Sequence, residues 1–363
     1  MARYVCSHCG IEYPSTGLPS VCSECGSVFT LVDLHYSPTE GRDQENFGMW
    51  RYRESFGLPN SYPISYLGEG GTPLVSKKFE GQELTFKMDH LNPSGSFKDR
   101  GTAILTSVLV GRKITEVVED SSGNAGAALA LYSGAFGVRS RIYIPLSTSG
   151  PKRRQIEGSG ANVITIEGKR ECAHQAAIEA VEVEKLPYAS HALLPFGLSG
   201  YATIAFEVYE QLGRMPGTVI APAGHGSLLL GLILGLEAIS SSLRRNRETT
   251  VIGVQPENCA PIVRAWRSEP FSGVEGKSVA EGTQVETPVR CEEILQKLQH
   301  GKDDLVTVTE TEIIAAYHEL SRNGIYVEPT SAMVLAAWER QTIHLPQPIV
   351  LMLSGCGLKS NLS

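Results

Sequence analysis

Lys98 sits in the stretch NPSGSFKDRG, Asn92 to Gly101. Pro93 and Gly95 interrupt the chain just before it, and Asp99 and Arg100 follow. Two readings stand side by side. One is an ordinary helix start, with Ser94 or Ser96 as cap and a charged first turn facing water. The other is a lysine held at a tight turn so that its amine can form a Schiff base with an aldehyde cofactor. The rest of the chain has to decide.

Three further stretches carry groups suited to such a cofactor. In APAGHGSLLLGL an apolar run meets Gly224, His225, Gly226 and Ser227, and an apolar helix follows from about Leu228. Glycines let backbone N–H groups converge, and the helix adds its positive end, which together cradle a phosphate. A plain strand-to-helix turn fits the same residues. In EDSSGNAGAALA, Ser121, Ser122, Gly123 and Asn124 precede a helix that begins near Ala125. Their hydroxyls and N–H groups suit a carboxylate, and Asn124 suits a phenolic oxygen. A simple N-cap explains them as well. In VLMLSGCGLK a buried strand ends at Ser354, whose hydroxyl suits a ring nitrogen or merely closes the strand.

Cysteine chemistry is concentrated at the start of the chain. Cys6-x2-Cys9 and Cys22-x2-Cys25 are separated by twelve residues, and Gly10 and Gly26 follow the two pairs. Each pair puts two thiolates on one side of a metal ion, and two such knuckles complete a tetrahedral site. Zinc is the expected metal, with iron as the rival. A site with all four positions filled by protein is structural, and it stabilises a ribbon too small to fold on apolar burial. His8 reads as a bystander. Residues 1–35 set one basic residue, Arg3, against Glu12, Glu24 and Asp33, which disfavours nucleic-acid binding and favours docking onto the main body.

These groups need elements to position them. From about Val117 the chain alternates apolar runs with Gly-rich turns and helical stretches: EVVEDSS, AGAALALYSGAFG, SRIYIP, PKRRQIEGSGA, NVITIEG. The pattern returns at GTVIAPAGHGS, TTVIGVQPEN and QPIVLMLSGCG. Strands alternating with helices imply a mostly parallel sheet covered on both faces. Ligands of such sheets sit in loops at the carboxyl ends of strands, where 121–126, 223–228 and 353–357 fall.

Composition sets the outer bounds. A chain of 363 residues exceeds one ordinary core, so two domains and a small appendage are expected. A net charge of −7 argues against a broad nucleic-acid or anionic-membrane surface. No apolar run reaches the roughly 20 residues of a membrane span. The N-terminus lacks the basic-then-apolar order of a signal peptide, so the expected location is the cytoplasm. Cys172, Cys259, Cys291 and Cys356 are scattered and read as small apolar residues.

Taken together, a turn-embedded lysine, a Ser/Asn loop, a phosphate cradle and a terminal serine match the needs of pyridoxal 5′-phosphate. The chain resembles the fold-type II pyridoxal-phosphate enzymes, and most closely the threonine synthase family. NPSGSFKDRG is similar to that family's lysine motif, SSGNAGAALALYSGAFG to its asparagine loop and LSGCGLK to its C-terminal loop. VEPTSAMVLAAW and the cysteine ribbon also resemble family members.

The resemblance implies an α/β fold of the tryptophan-synthase-β type, two domains with parallel sheets plus an N-terminal zinc ribbon. It implies that Lys98 carries the cofactor and acts as base, and that Asn124 meets its 3′ oxygen. Gly224, His225, Gly226, Ser227 and Leu228 are implied to ring its phosphate, with Ser354 at the ring nitrogen. Ser121, Ser122, Gly123 and Ala125 are implied to hold the substrate carboxylate. The expected reaction converts O-phosphohomoserine and water to threonine and phosphate. Alternatives are a threonine or serine dehydratase, which VAEGTQVETPVR (Val279 to Arg290) slightly resembles, and β-replacement on an O-activated serine. The partner is a small amino acid. Dimerisation is common in the superfamily, which makes a homodimer one expected assembly.

One local departure bears on the substrate. Threonine synthases resemble one another in a stretch whose arginine helps hold the substrate phosphate. This chain reads LLPFGLSGYAT there, with Gly197 at the arginine's position and Ser199 in place of a glutamate. Thr203, Ser149, Lys152, Arg153 or Arg154 are the candidates to compensate. His225 is a second departure, since small or amide residues are usual in the cradle. The expected domains are the ribbon at 1–35, a large cofactor domain from 36–105 and 205–363, and a small domain at 106–204.

Overall fold

The computed structural model describes residues 2–37, 48–148, 150–270, 272–273, 276–341 and 344–360. In chain order the strands are β1 (Arg3–Cys6), β2 (Phe29–Val32), β3 (Leu74–Phe79), β4 (Gln82–Lys87), β5 (Glu116–Glu119), β6 (Arg139–Pro145), β7 (Asn162–Ile166), β8 (Thr218–Pro222), β9 (Thr250–Pro256), β10 (Asp304–Val308) and β11 (Ile349–Met352). The α-helices are α1 (Lys98–Gly111), α2 (Asn124–Ala135), α3 (Pro151–Gly158), α4 (Arg170–Glu184), α5 (Phe196–Leu212), α6 (Ser227–Ser242), α7 (Pro261–Trp266), α8 (Cys291–Lys297), α9 (Glu310–Arg322) and α10 (Pro329–Glu339).

The chain packs into two compact units. The first comprises Met1–Glu69 and Asn92–Gly200, the second Gly70–Leu91 and Tyr201–Ser363. The ribbon, residues 48–69 and residues 92–105 therefore fall in one unit with the 106–200 region, whereas the sequence expectation sets all of 36–105 with the large domain.

In the first unit β5, β6 and β7 form a three-stranded parallel sheet. Ile142 and Ile144 of β6 pack with Ala127 and Ala130 of α2 and Ile156 of α3. Val118 and Tyr143 pack with Ala177 of α4. The antiparallel pair β1–β2 forms the ribbon. In the second unit a six-stranded sheet has the order β10-β9-β8-β11-β4-β3 and is parallel except for the β3 edge. Strands β8, β9 and β11 are buried along their whole length. That is why they read as continuous apolar runs rather than as alternation.

Candidate active site

The lysine turn is built from its neighbours. The Gly95 N–H donates to the Asn92 carbonyl at 2.7 Å, and the Ser94 N–H donates to the Asp99 carboxylate at 2.6 Å. Gln155 of α3 donates to the Ser94 carbonyl at 2.9 Å. Lys98 is the first residue of α1, half-buried, with Nζ 4.9 Å from the centre of the Phe97 ring. The expected serine cap is absent: Phe97 occupies the cap position and no side chain caps the helix. Ser94 and Ser96 are buried, and their Oγ atoms have no hydrogen-bond partner among the described residues. Two orphaned hydroxyls beside the lysine are what a turn awaiting a polar ligand looks like. Asp99 and Arg100 are fully buried, which fits structure rather than chemistry.

The Ser121–Asn124 loop follows β5 in the same unit. Asn124 is the first residue of α2, as Lys98 is of α1, and these two helices pack on each other. Gly123 caps α2 with no side-chain bond, and a helix start without a side-chain cap suits an anionic group. Ser121 and Ala125 are buried, Ser122 and Gly123 partly so. At the foot of this loop, Oε1 of Glu119 lies 2.7 Å from Nδ1 of His191. Asp120 accepts from Tyr188 at 2.6 Å and pairs with His174 at 3.0 Å. Burial, reinforced by the neighbouring Asp120, holds the Glu119 carboxyl well above the usual carboxylate range.

In the second unit the chain leaves β8 through Ala223 to Gly226 and enters α6 at Ser227. Gly226 adopts φ +97, and a Cβ there would lie 2.5 Å from Ile294 and 3.0 Å from Arg290. A Cβ on Gly224 would lie 2.9 Å from the Gly282 carbonyl. No side chain caps α6, and Ser227 and Leu228 are buried. Bare backbone at an uncapped helix start fits a phosphate group. The His225 carbonyl accepts from the Arg290 N–H at 3.0 Å. The Val279–Arg290 stretch therefore walls the cradle.

Ser354 is 1% exposed, just past β11. Its Oγ lies 3.0 Å from Oγ of Ser331, which also accepts the N–H groups of Ser354 (2.9 Å) and Gly355 (2.8 Å). One residue before Ser331, Thr330 accepts from the Gly282 N–H at 3.2 Å. The first turn of α10 thus holds both the terminal serine and the cradle wall. Sequence reasoning marks VEPTSAMVLAAW only as similar to a family. The Thr-Ser pair just after Pro329 is the available signal.

Of the substitutes for the missing arginine, Thr203 is fully buried in α5. Arg153 is engaged by Glu157 at 2.8 Å, Arg154 is exposed and Lys152 is half-buried on α3. Ser149 lies outside the described residues.

The four ribbon cysteines lie within 4.8 Å of one another at their sulfurs. The Gly10 N–H donates to the Cys6 carbonyl and the Gly26 N–H to the Cys22 carbonyl, so the two knuckles are alike. Four converging thiols at this spacing fit one tetrahedral metal ion.

The chain matches the pyridoxal-phosphate dependent enzyme family over residues 66–355 and belongs to it. Within that family it is similar to threonine synthases. That of Methanocaldococcus jannaschii is 30% identical over 98% of this chain and 92% of its own length. That of Methanosarcina acetivorans is 28% identical over 93% and 86%. The crystal structure of a T.th. threonine deaminase aligns with a TM-score of 0.64 and 27% identity, over 78% of this chain and 92% of that one. The chain is a pyridoxal-phosphate-dependent, threonine synthase-like lyase of α/β fold. Among the described residues no helix is long and apolar enough to cross a membrane.

Proposed function

We propose that the protein makes threonine and phosphate from O-phosphohomoserine and water. The observation that carries this reading is the intact lysine turn, Asn92–Gly101, in a chain that matches threonine synthases over nearly its whole length. Lys98 would hold the cofactor, and its Nζ would take the Cα proton of the substrate. Residues 224–228 bind the cofactor phosphate, and Asn124 donates to its phenolic oxygen. Ser121, Ser122, Gly123 and Ala125 hold the substrate carboxylate. Ser354, kept in register by Ser331, offers the ring nitrogen a hydroxyl rather than a carboxylate. A neutral partner leaves that nitrogen largely unprotonated, which favours elimination and replacement over transamination. The cofactor supplies the electron sink. The ribbon cysteines hold a structural Zn2+.

A second reading is a threonine or serine dehydratase. Gly197 at the arginine's position favours it, because losing a bidentate, always-charged partner weakens a phosphate site. The deciding experiment gives cofactor-loaded protein O-phosphohomoserine, threonine and serine in parallel and follows phosphate, keto acid and ammonia. Phosphate with threonine from the first substrate supports the synthase. Keto acid from threonine or serine alone replaces it with the dehydratase.

A further inference from the structure

Gln255 is a fully buried polar residue near the end of β9, the strand beside the one that feeds the cradle. β9 pairs with β8 in parallel, Pro222 opposite Val254, and the Ala223 N–H continues the ladder by donating to the Val254 carbonyl at 2.9 Å. The Gln255 side chain meets three backbone groups, all in the second unit. Its Nε2 donates to the Ala223 carbonyl at 3.1 Å. Its Oε1 accepts from the N–H groups of Ile262 at 2.8 Å and Val263 at 3.1 Å, at the start of α7. These partners fix the amide's orientation, since only its oxygen accepts and only its nitrogen donates.

A trans peptide points its C=O and its N–H in opposite directions. Holding the Ala223 carbonyl toward Gln255 therefore turns the Gly224 N–H the other way. The same device recurs one residue further on. The Arg290 N–H holds the His225 carbonyl at 3.0 Å, which turns the Gly226 N–H away from Arg290. Both glycine peptides of the turn are thus aimed from behind, one by a side chain and one by backbone. The rest of β9 is buried along its length, so an apolar residue at 255 would fill the space, and burying an amide there costs energy unless its bonds are made.

We propose that Gln255 is a positioning residue for the cofactor phosphate: by holding the Ala223 carbonyl, its side-chain N–H aims the Gly224 N–H into the cradle. It acts through Ala223 and not by touching the ligand. The donor is the essential half of the amide, while the acceptor half ties the same side chain to α7. This rests on the reading that residues 224–228 bind that phosphate.

The test measures cofactor affinity and the phosphorus NMR signal of the bound phosphate in full-length, cofactor-loaded protein. Gln255→Glu keeps the size and the acceptor, and its carboxyl can donate to the Ala223 carbonyl only when protonated. Burial raises a carboxyl's pKa, so the donor is expected to be present at about pH 6 and absent at about pH 8.5. Relative to the parent at the same pH, the variant should bind cofactor within about twofold at the lower pH and about tenfold or more weakly at the higher. The phosphorus signal should move with it. Parent-like affinity at both pH values, equal weakening at both, or an unmoved signal overturns the proposal. A merely structural glutamine would alter the unfolding temperature and leave the phosphate signal of the folded protein in place. Should Gln255→Glu fail to fold at the higher pH, Gln255→Met decides, since it fills the space without a donor: weakened binding with a moved signal supports the proposal and parent-like binding overturns it. Ser227→Ala separates the two readings. A weaker affinity and a moved signal uphold the cradle whatever Gln255 does, and no change in either removes the foundation.

Discussion

The hydroxyl of Tyr4 lies 3.0 Å from that of Ser199. The contact joins β1 of the ribbon to the first turn of α5, where the chain departs from the threonine synthase pattern. Phe196, three residues earlier, meets Tyr4 and Tyr13 edge-on, each at 4.9 Å between ring centres. Arg112 covers the rings of Tyr13 and Phe196 and donates to the Gly17 carbonyl at 2.7 Å. Phe196 and Ser199 of that stretch are therefore used as a socket for the ribbon. A residue further on, Gly200 packs so closely on α1 that a Cβ would lie 2.3 Å from the Arg100 carbonyl. The ribbon thus braces the helix start that lies against the lysine helix.

The Tyr4–Ser199 pair should couple energetically. Tyr4 also donates to the Phe56 carbonyl at 2.7 Å, so Tyr4→Phe strips that buried carbonyl of its partner, while the Ser199 hydroxyl keeps the Phe196 carbonyl at 3.0 Å. Tyr4→Phe is expected to cost about 1–3 kcal/mol and Ser199→Ala about 1 kcal/mol. The double variant should cost less than the sum by about 0.5–1 kcal/mol. Urea unfolding of the four proteins measures this, and strict additivity would show that the hydroxyls do not meet in solution.

Metal loss should be felt through the same socket. Cys22→Ser removes a buried ligand from the four-thiol cluster. The purified protein is expected to carry one metal per chain and the variant to lose it, with a fall in Tm of several degrees, since a ligand that binds only the folded ribbon stabilises it. Elemental analysis beside a melting curve reads both. Full metal retention in Cys22→Ser would mean the four cysteines do not form the site.

Ser331, in the VEPTSAMVLAAW stretch, supports Ser354. Ser331→Ala leaves the N–H groups of Ser354 and Gly355 without their common acceptor. Such orphaned donors cost about 1–3 kcal/mol. Cofactor affinity is expected to drop about tenfold or more as the serine loosens, and equilibrium dialysis at several cofactor concentrations tests it. Unchanged affinity would show that the loop keeps its shape unaided.

The loops are legible in the sequence because each needs glycine or serine at the end of an apolar run, and backbone demands of that kind leave a local trace. The strand-to-helix turn at 224–228 and the cysteine knuckles are readable in this way. Ser331 is not, because its partners are 23 and 24 residues away and a serine in a helix's first turn already looks like ordinary capping. The unit boundary differs from the expected one for a related reason. Residues 92–105 follow β4 directly, yet Gln155 and Gly200 hold them to the first unit, and contacts that long leave no periodic signal. Glu119 and His191 are 72 positions apart and escape a sequence reading on the same ground.

Acid sensitivity should be traceable to His90. It follows β4, is 5% exposed, and its Nδ1 has no hydrogen-bond partner among the described residues. Burial pushes its pKa down to about 4, against 6.5 for a free imidazole, and the neighbouring Asp89 only partly opposes that. The folded state therefore keeps His90 neutral while the unfolded chain binds a proton below 6.5. Its contribution is fully present above pH 6.5 and is lost as pH falls toward 4, by at most about 3 kcal/mol. His90→Gln cannot titrate, so its stability should fall less steeply across that window, even if it starts lower at about pH 7.5. Urea midpoints at half-unit steps from about pH 7.5 to about 4.5 give the comparison. Parallel curves for the two proteins would mean that His90 is protonated in the fold and that its surroundings admit the charge.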